Sequence, residues 1–222
     1  MPLKSKLREL LAEGSFEEIA EMAAERRRVL GSLVALTYDS DPQIGWRAVE
    51  ALGLAARRVA DDDPEHVREY LRRLYWLISE ESGGICWHAP AAMAEIIRHK
   101  PSLFPDYVPI VVFLILYLAE EDLDHFMTDV LWAIGRLGPI ASDHIEEVHP
   151  AIVSALDDPD PQVRGTAVWC LSRVGSSMAV EARSDLLADE GPVALYEDGS
   201  LEHTSVAMLV RRVLQETDVN SS

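Results

Sequence analysis

A thiol, an imidazole and two carboxylates stand close together in Glu80–Pro90, whose residues read EESGGICWHAP. Cys86 and His88 are the residue types a nucleophile, an anion site or a metal centre would use. Pro90 lacks an N–H and clashes deep in a helix, so it belongs to a first turn, and the helix that follows starts near Cys86 or Trp87. Cys86, Trp87 and His88 then lie at a helix N-terminus beside the Gly83-Gly84 pair. Free N–H groups there attract anions and lower a thiol pKa. Gly83, Gly84, Cys86 and His88 are therefore the candidate reactive or anion site. Glu80, Glu81, Cys86 and His88 match no zinc-ligand spacing, so no metal is expected. The plainer reading of the same residues is a Gly-capped helix end and a shaped turn. No nucleophile elbow, phosphate loop or dinucleotide fingerprint occurs in the sequence. No catalytic residue and no cofactor are assigned.

What must position this junction is helical. Lys4–Leu11 and Phe16–Ala24 form a first pair, with Ser15 and Glu18 in capping-box spacing. Arg27–Tyr38 and Gln43–Val59 follow, broken by Asp39-Ser-Asp-Pro42. Then come His66–Ser79 with Trp87–Arg98, and Val108–Ala119 with Asp124–Leu137. Pro150–Leu156 pairs with Gln162–Val174 across Asp157-Asp-Pro-Asp-Pro161, and Ser176–Ala188 pairs with His203–Gln215. The expected organisation is one repeat domain over 1–215, with pairs near 3–24, 27–59, 66–98, 108–137, 150–174 and 176–215, and a flexible tail over 216–222. One segment breaks the pattern: in Pro192–Thr204, Asp198-Gly199 separates two alternating runs, the signal of a type I′ β-hairpin.

The second helices repeat. Ile44, Ala48, Ala51, Leu52 and Ala55 correspond to Ile85, Ala89, Ala92, Met93 and Ile96. They correspond again to Phe126, Val130, Ala133, Ile134 and Leu137, and to Val163, Ala167, Cys170, Leu171 and Val174. Each set marks one helix face. A period of about 40 residues, in units too small to bury that face alone, is the signature of an α-solenoid. Cys170 falls on the buried face and is expected to be inert.

DPQIGWRAVEALG at 41–53 and DPQVRGTAVWCLSRVG at 160–175 resemble the second-helix motif of HEAT repeats, nearest in character to the phycobilin-lyase-like branch. The resemblance is clear over about residues 26–175 and weaker at both ends. It implies an all-α, right-handed α-α superhelix whose second helices line a concave surface, and a role as an interaction scaffold. The ESGGICWHAP junction departs from the motif and is similar to one in uncharacterised prokaryotic HEAT-like proteins. No His-Glu dipeptide occurs, which removes the metal motif of HEAT-repeat deoxyhypusine hydroxylases.

Half a turn from the core direction lie Trp46, Trp87, Trp132 and Trp169, with small residues such as Gly53, Gly135 and Gly165 nearby. Arg47, His88 and Asp129 occupy equivalent flanking positions, as do Glu95, Arg136 and Arg173. Two readings stand. Either the indoles form an open binding stripe, flanked by Arg47, His88 and Asp129, for a protein, peptide or small ligand, or neighbouring elements cover them as ordinary packing. Arg136 and Arg173 fit inter-repeat salt bridges better than ligand contacts.

The primary expectation is thus a non-catalytic scaffold. A lyase-like or cofactor-seating protein using Cys86 and His88 is the alternative, and a nucleic-acid-processing HEAT protein the lesser one. A net charge of −18 argues against nucleic acid and against anionic membranes. The N-terminus has no apolar signal core, and Tyr107–Ala119 is shorter than the ~20 residues of a membrane span. A soluble cytoplasmic protein is expected. Because Tyr107–Ala119 has no polar face, a second subunit covering it, and hence a homo-oligomer, is a further expectation.

Overall fold

The computed structural model describes residues 2–79, 88–120 and 126–220. Helices α1 (Leu3–Glu13) to α12 (Val206–Asn220) follow one another through short turns, and the strands β1 (Pro192–Glu197) and β2 (Ser200–Ser205) form a two-stranded sheet. The fold is all-α and HEAT-like, with that small antiparallel sheet near the C-terminus. Contacts group the molecule into two compact units. The first comprises residues 1–108 and 196–201, the second residues 109–195 and 202–222.

In the first unit, α1 precedes α2 (Phe16–Glu25), and α3 (Arg28–Leu36) precedes α4 (Pro42–Ala60). The third pair is α5 (Pro64–Ser79) and α6 (Ala89–His99). The second helices stack in sequence order, α2 on α4 and α4 on α6. Ile44, Ala48, Ala51, Leu52 and Ala55 are all buried, as the spacing predicts. Gly53 permits the α4–α6 approach, since a Cβ there would stand 2.8 Å from the Glu95 carbonyl oxygen. His88 is the N-cap of α6 and Pro90 lies in its first turn, as the missing proline N–H requires. Ser15 stands at the N-cap of α2, but its hydroxyl closes no capping bond, and Glu18 pairs with Lys6 instead, so no capping box forms.

The second unit runs through α7 (Val108–Glu120), α8 (Met127–Leu137), α9 (Ser142–Ser154), α10 (Pro161–Arg173) and the short α11 (Ser177–Glu181) before the hairpin and α12. α10 stacks on α8 and α12 on α10. Phe126, Val130, Ala133, Ile134 and Leu137 are buried, as are Val163, Ala167, Cys170 and Leu171.

Three boundaries differ from expectation. α9 begins at Ser142 and carries Pro150 inside it. Burial of Ile145, Val148 and Ile152 on one face offsets the proline's cost, which is about 3 kcal/mol. The expected helix over 176–188 is divided into α11 and a 3-10 segment, Ser184–Ala188. Arg183 chelates Asp185, two residues on, and also reaches Asp157; residues two apart do not share a helix face. α12 starts only at Val206, because β2 holds the residues before it, and it continues to Asn220.

Within Tyr107–Ala119, Val111, Val112, Ile115 and Leu118 are buried within the protein itself, leaving Leu116 and Tyr117 as the segment's large exposed apolar side chains. No helix among the described residues is long and apolar enough to cross a membrane.

Candidate functional site

Two second helices begin with the same device. Asp39 Oδ1 accepts from the Asp41 N–H (3.1 Å), and Asp41 Oδ1 accepts from the Gln43 N–H (3.0 Å). In the later repeat Asp158 Oδ1 accepts from Asp160 N–H (2.8 Å), and Asp160 Oδ1 from Gln162 N–H (2.9 Å). Each aspartate-rich break thus winds the backbone into an N-cap, with proline at the first helical position. The glutamine that follows is fixed at its backbone while its amide projects from the helix end.

Both amides take hold of hairpin backbone. Gln43 Nε2 donates to the Gly199 carbonyl (2.8 Å), and its Oε1 accepts from the Leu201 N–H (2.8 Å). Gln162 Nε2 donates to the Ala194 carbonyl (2.9 Å), and its Oε1 accepts from the Ala194 N–H (2.8 Å). A primary amide offers a donor and an acceptor side by side, so it can complement a backbone carbonyl and a backbone N–H together. Such bonds are indifferent to the side chains of the segment held.

Around Gln43 the grip is extended. Arg47 Nε donates to the Gly199 carbonyl as well (2.8 Å), while its Nη1 donates to the carbonyls of Leu11 and Ala12 at the end of α1. Tyr196 Oη donates to Glu50 Oε2 at 2.6 Å. The Tyr196 ring stacks on Trp46, with centroids 5.6 Å apart and planes 11° from parallel; His88 lies 4.5 Å from Trp46 on a tilted plane. Burial and the Glu50 carboxylate push the Tyr196 phenol far up, so it stays a neutral donor. Asp198 (φ 43°) and Gly199 (φ 85°) both have positive φ, the geometry of a type I′ turn, as the Asp-Gly pair predicts.

The indole stripe is closed at two of its three described members. Trp46 is half-buried beneath Tyr196. Trp132 and Trp169 are 1% and 2% exposed and stack on each other at 6.2 Å, so the expectation of an open surface there is corrected. The small residues nearby admit protein, not ligand. A Cβ on Gly135 would stand 2.4 Å from the Trp169 ring, and one on Gly165 would stand 2.4 Å from Val193 of β1. Asp129 is buried with them. Arg136 and Arg173 lie over the Trp132 and Trp169 rings at 5.5 and 6.0 Å, while Glu95 pairs with Arg98 on its own helix. Burial pushes the Cys170 thiol up, leaving it a neutral core group. Trp87, Gly83, Gly84 and Cys86, with Glu80 and Glu81, lie outside the described residues.

Sequence reasoning passed over Gln43, Gln162 and Tyr196. The identity of the two Asp-Pro-Gln triplets was the available signal. It also passed over Trp76, the tryptophan that is 65% exposed, which with Glu69, Arg72 and Arg73 lines a surface hollow of about 490 Å³.

Comparison with known proteins finds one matching family model and several similar proteins. Residues 128–174 match the model of the HEAT-like repeat. An uncharacterized protein of Archaeoglobus fulgidus is 26% identical over 193 residues, covering 83% of this chain and 94% of the relative. Among solved structures, a designed armadillo repeat protein is similar at a TM-score of 0.49 and 18% identity, covering 96% of this chain and 92% of its own. The archaeal HEAT-like repeats protein of Thermococcus onnurineus NA1 is similar at 0.39 and 18% identity, covering 99% and 98%. The matched repeat spans α8 to α10, and within each unit the second helices stack in sequence order, so the fold is a HEAT-like solenoid.

Proposed function

We propose that this protein is a non-catalytic interaction scaffold that binds an extended segment of a protein or peptide on the faces of its second helices. The reading is carried by the paired glutamines. Gln43 and Gln162, at equivalent helix starts, each present an amide that holds backbone N–H and C=O groups of a β-segment. Trp46, Arg47 and His88 supply the aromatic and cationic surroundings at the first of these positions. HEAT-like repeats are typically protein-binding, which is consistent with this reading.

The test is an array of synthetic extended peptides of varied sequence, probed with the purified protein and with a Gln43→Ala variant. Binding that tolerates changes of peptide side chain but falls about tenfold or more in the variant is expected, since two backbone hydrogen bonds are lost at that position. Absence of any binding peptide, or equal binding by the variant, would overturn the reading.

A further inference from the structure

We infer that the α4 face formed by Gln43, Trp46, Arg47 and Glu50 is a docking site for the tip of a β-hairpin bearing an aromatic hydroxyl, and that residues 196–201 are its built-in, releasable occupant. This rests on the backbone-binding reading above and names the ligand class of one of its positions.

The tip is held as a ligand would be held. Gly199 O receives two donors, Gln43 Nε2 and Arg47 Nε, one for each lone pair, and the Leu201 N–H donates to Gln43 Oε1. Two further contacts are specific. Tyr196 spends its ring on Trp46 and its hydroxyl on Glu50. Gly199 adopts φ 85° with Phe16 alongside, where a Cβ would meet the Phe16 ring at 3.4 Å. The face therefore selects three things together: a phenol, a tight turn with positive φ, and a free carbonyl at that turn. Any hairpin tip with a tyrosine placed as Tyr196 is, relative to an Asp-Gly turn, meets those demands.

The tip is also built to leave. Asp198 and Ser200 are exposed, and Gly199 and Leu201 are only partly covered, so water can reach the backbone hydrogen bonds at the turn, while the Tyr196 side chain is the buried anchor that release must expose. The rest of the hairpin has its own anchorage in the second unit. Val193 fills the space above Gly165, Ala194 is held by Gln162, and Leu195 is buried. The backbone passes from the second unit to the first between Leu195 and Tyr196 and returns between Leu201 and Glu202. Detachment of residues 196–201 therefore breaks none of the anchors at the hairpin base.

The experiment replaces residues 196–201 by an Asn-Gly turn, which shortens each strand by two residues and keeps Leu195 opposite Glu202. A fluorescein-labelled, head-to-tail cyclised peptide of residues 192–205 is then titrated into the shortened and the intact protein, and anisotropy is read. An attached occupant competes at an effective concentration on the order of millimolar, so the shortened protein is expected to bind at least about 100-fold more tightly than the intact one. Arg47→Ala in the shortened protein, or Tyr196→Phe in the peptide, weakens that binding. A shortened protein that keeps its helical circular dichroism yet binds no better than the intact one overturns the inference. So does a shortened protein that fails to fold, unless hydrogen exchange on the full-length Tyr196→Phe variant shows the Leu201 N–H exchanging at least about tenfold faster while α4 amides keep their protection. Loss of α4 protection in step makes the tip a fixed part of the fold. The peptide array distinguishes the two ideas: array binding without hairpin binding leaves the scaffold and removes only its built-in occupant.

Discussion

At the scale of single residues, Gln43 and Gln162 make the clearest prediction. Each amide satisfies two backbone groups of the hairpin, so replacement by alanine leaves a donor and an acceptor unmatched in a partly covered site. Gln43→Ala and Gln162→Ala should each cost about 1–3 kcal/mol in urea unfolding. The two effects should add, because the sites share no partner. Gly165→Ala should also destabilise, by about 1–3 kcal/mol, since the new methyl would overlap Val193 and press on Leu209. The same substitution at Gly175, where nothing lies within 4 Å, would meet only the strain of φ 76°. Core positions of the second helices were readable from spacing alone, because one-sided burial is what the helical period encodes. The cover over the indoles was not. The period places Trp132 and Trp169 on the same side as Trp46 but cannot say that Trp169 lies on Gly135 or that β1 lies on Gly165. Those contacts join residues far apart in sequence or on different helices, and no local pattern records them.

At the scale of elements, α7 separates surface from core within a single apolar run. Ile115→Glu should destabilise the fold by more than about 3 kcal/mol, because it puts an unpaired carboxylate into a fully buried position. Leu116→Glu, at a position 39% exposed, should leave thermal unfolding within a few degrees of the parent. Circular dichroism melts of the two variants decide this, and equal destabilisation would contradict the burial assigned to α7. The hairpin was legible because Asp-Gly is among the few local sequences that favour positive φ twice in succession. The division between α11 and the 3-10 segment was hidden, since it turns on Arg183 choosing Asp185 and Asp157 over a helical neighbour. α9 was misplaced for the opposite reason. A proline reads as a boundary, yet packing of Ile145, Val148 and Ile152 overrides it.

At the scale of the whole molecule, acidity and repeat architecture meet in the ion pairs. Arg8 holds Asp39 below the usual carboxylate range, and Arg164 does the same for Asp189. Both folded pKa values thus lie below the unfolded value of about 3.9. The stability the pairs contribute is present in full above that value and is lost as pH falls through the folded pKa. Unfolding free energy should therefore decline below about pH 4, and an Asp39→Asn/Asp189→Asn variant should show a shallower decline in urea titrations at stepped pH. An unchanged slope would mean that other carboxylates carry the acid sensitivity.

The hairpin tip has a consequence for how the protein is made. In an ordinary repeat array each unit contacts only its neighbours, so folding proceeds locally and can follow synthesis from the N-terminus. Here the first unit is completed by residues 196–201, which form hydrogen bonds to partners 146 to 158 positions earlier in the sequence. Contacts of such sequence separation raise the contact order of a topology that is otherwise fast-folding. A nascent polypeptide released before the hairpin emerges would leave Trp46 without the Tyr196 ring and the Gln43 amide without Gly199 and Leu201. The last contacts to form on α4 come from residues synthesised 146 to 158 positions after their partners.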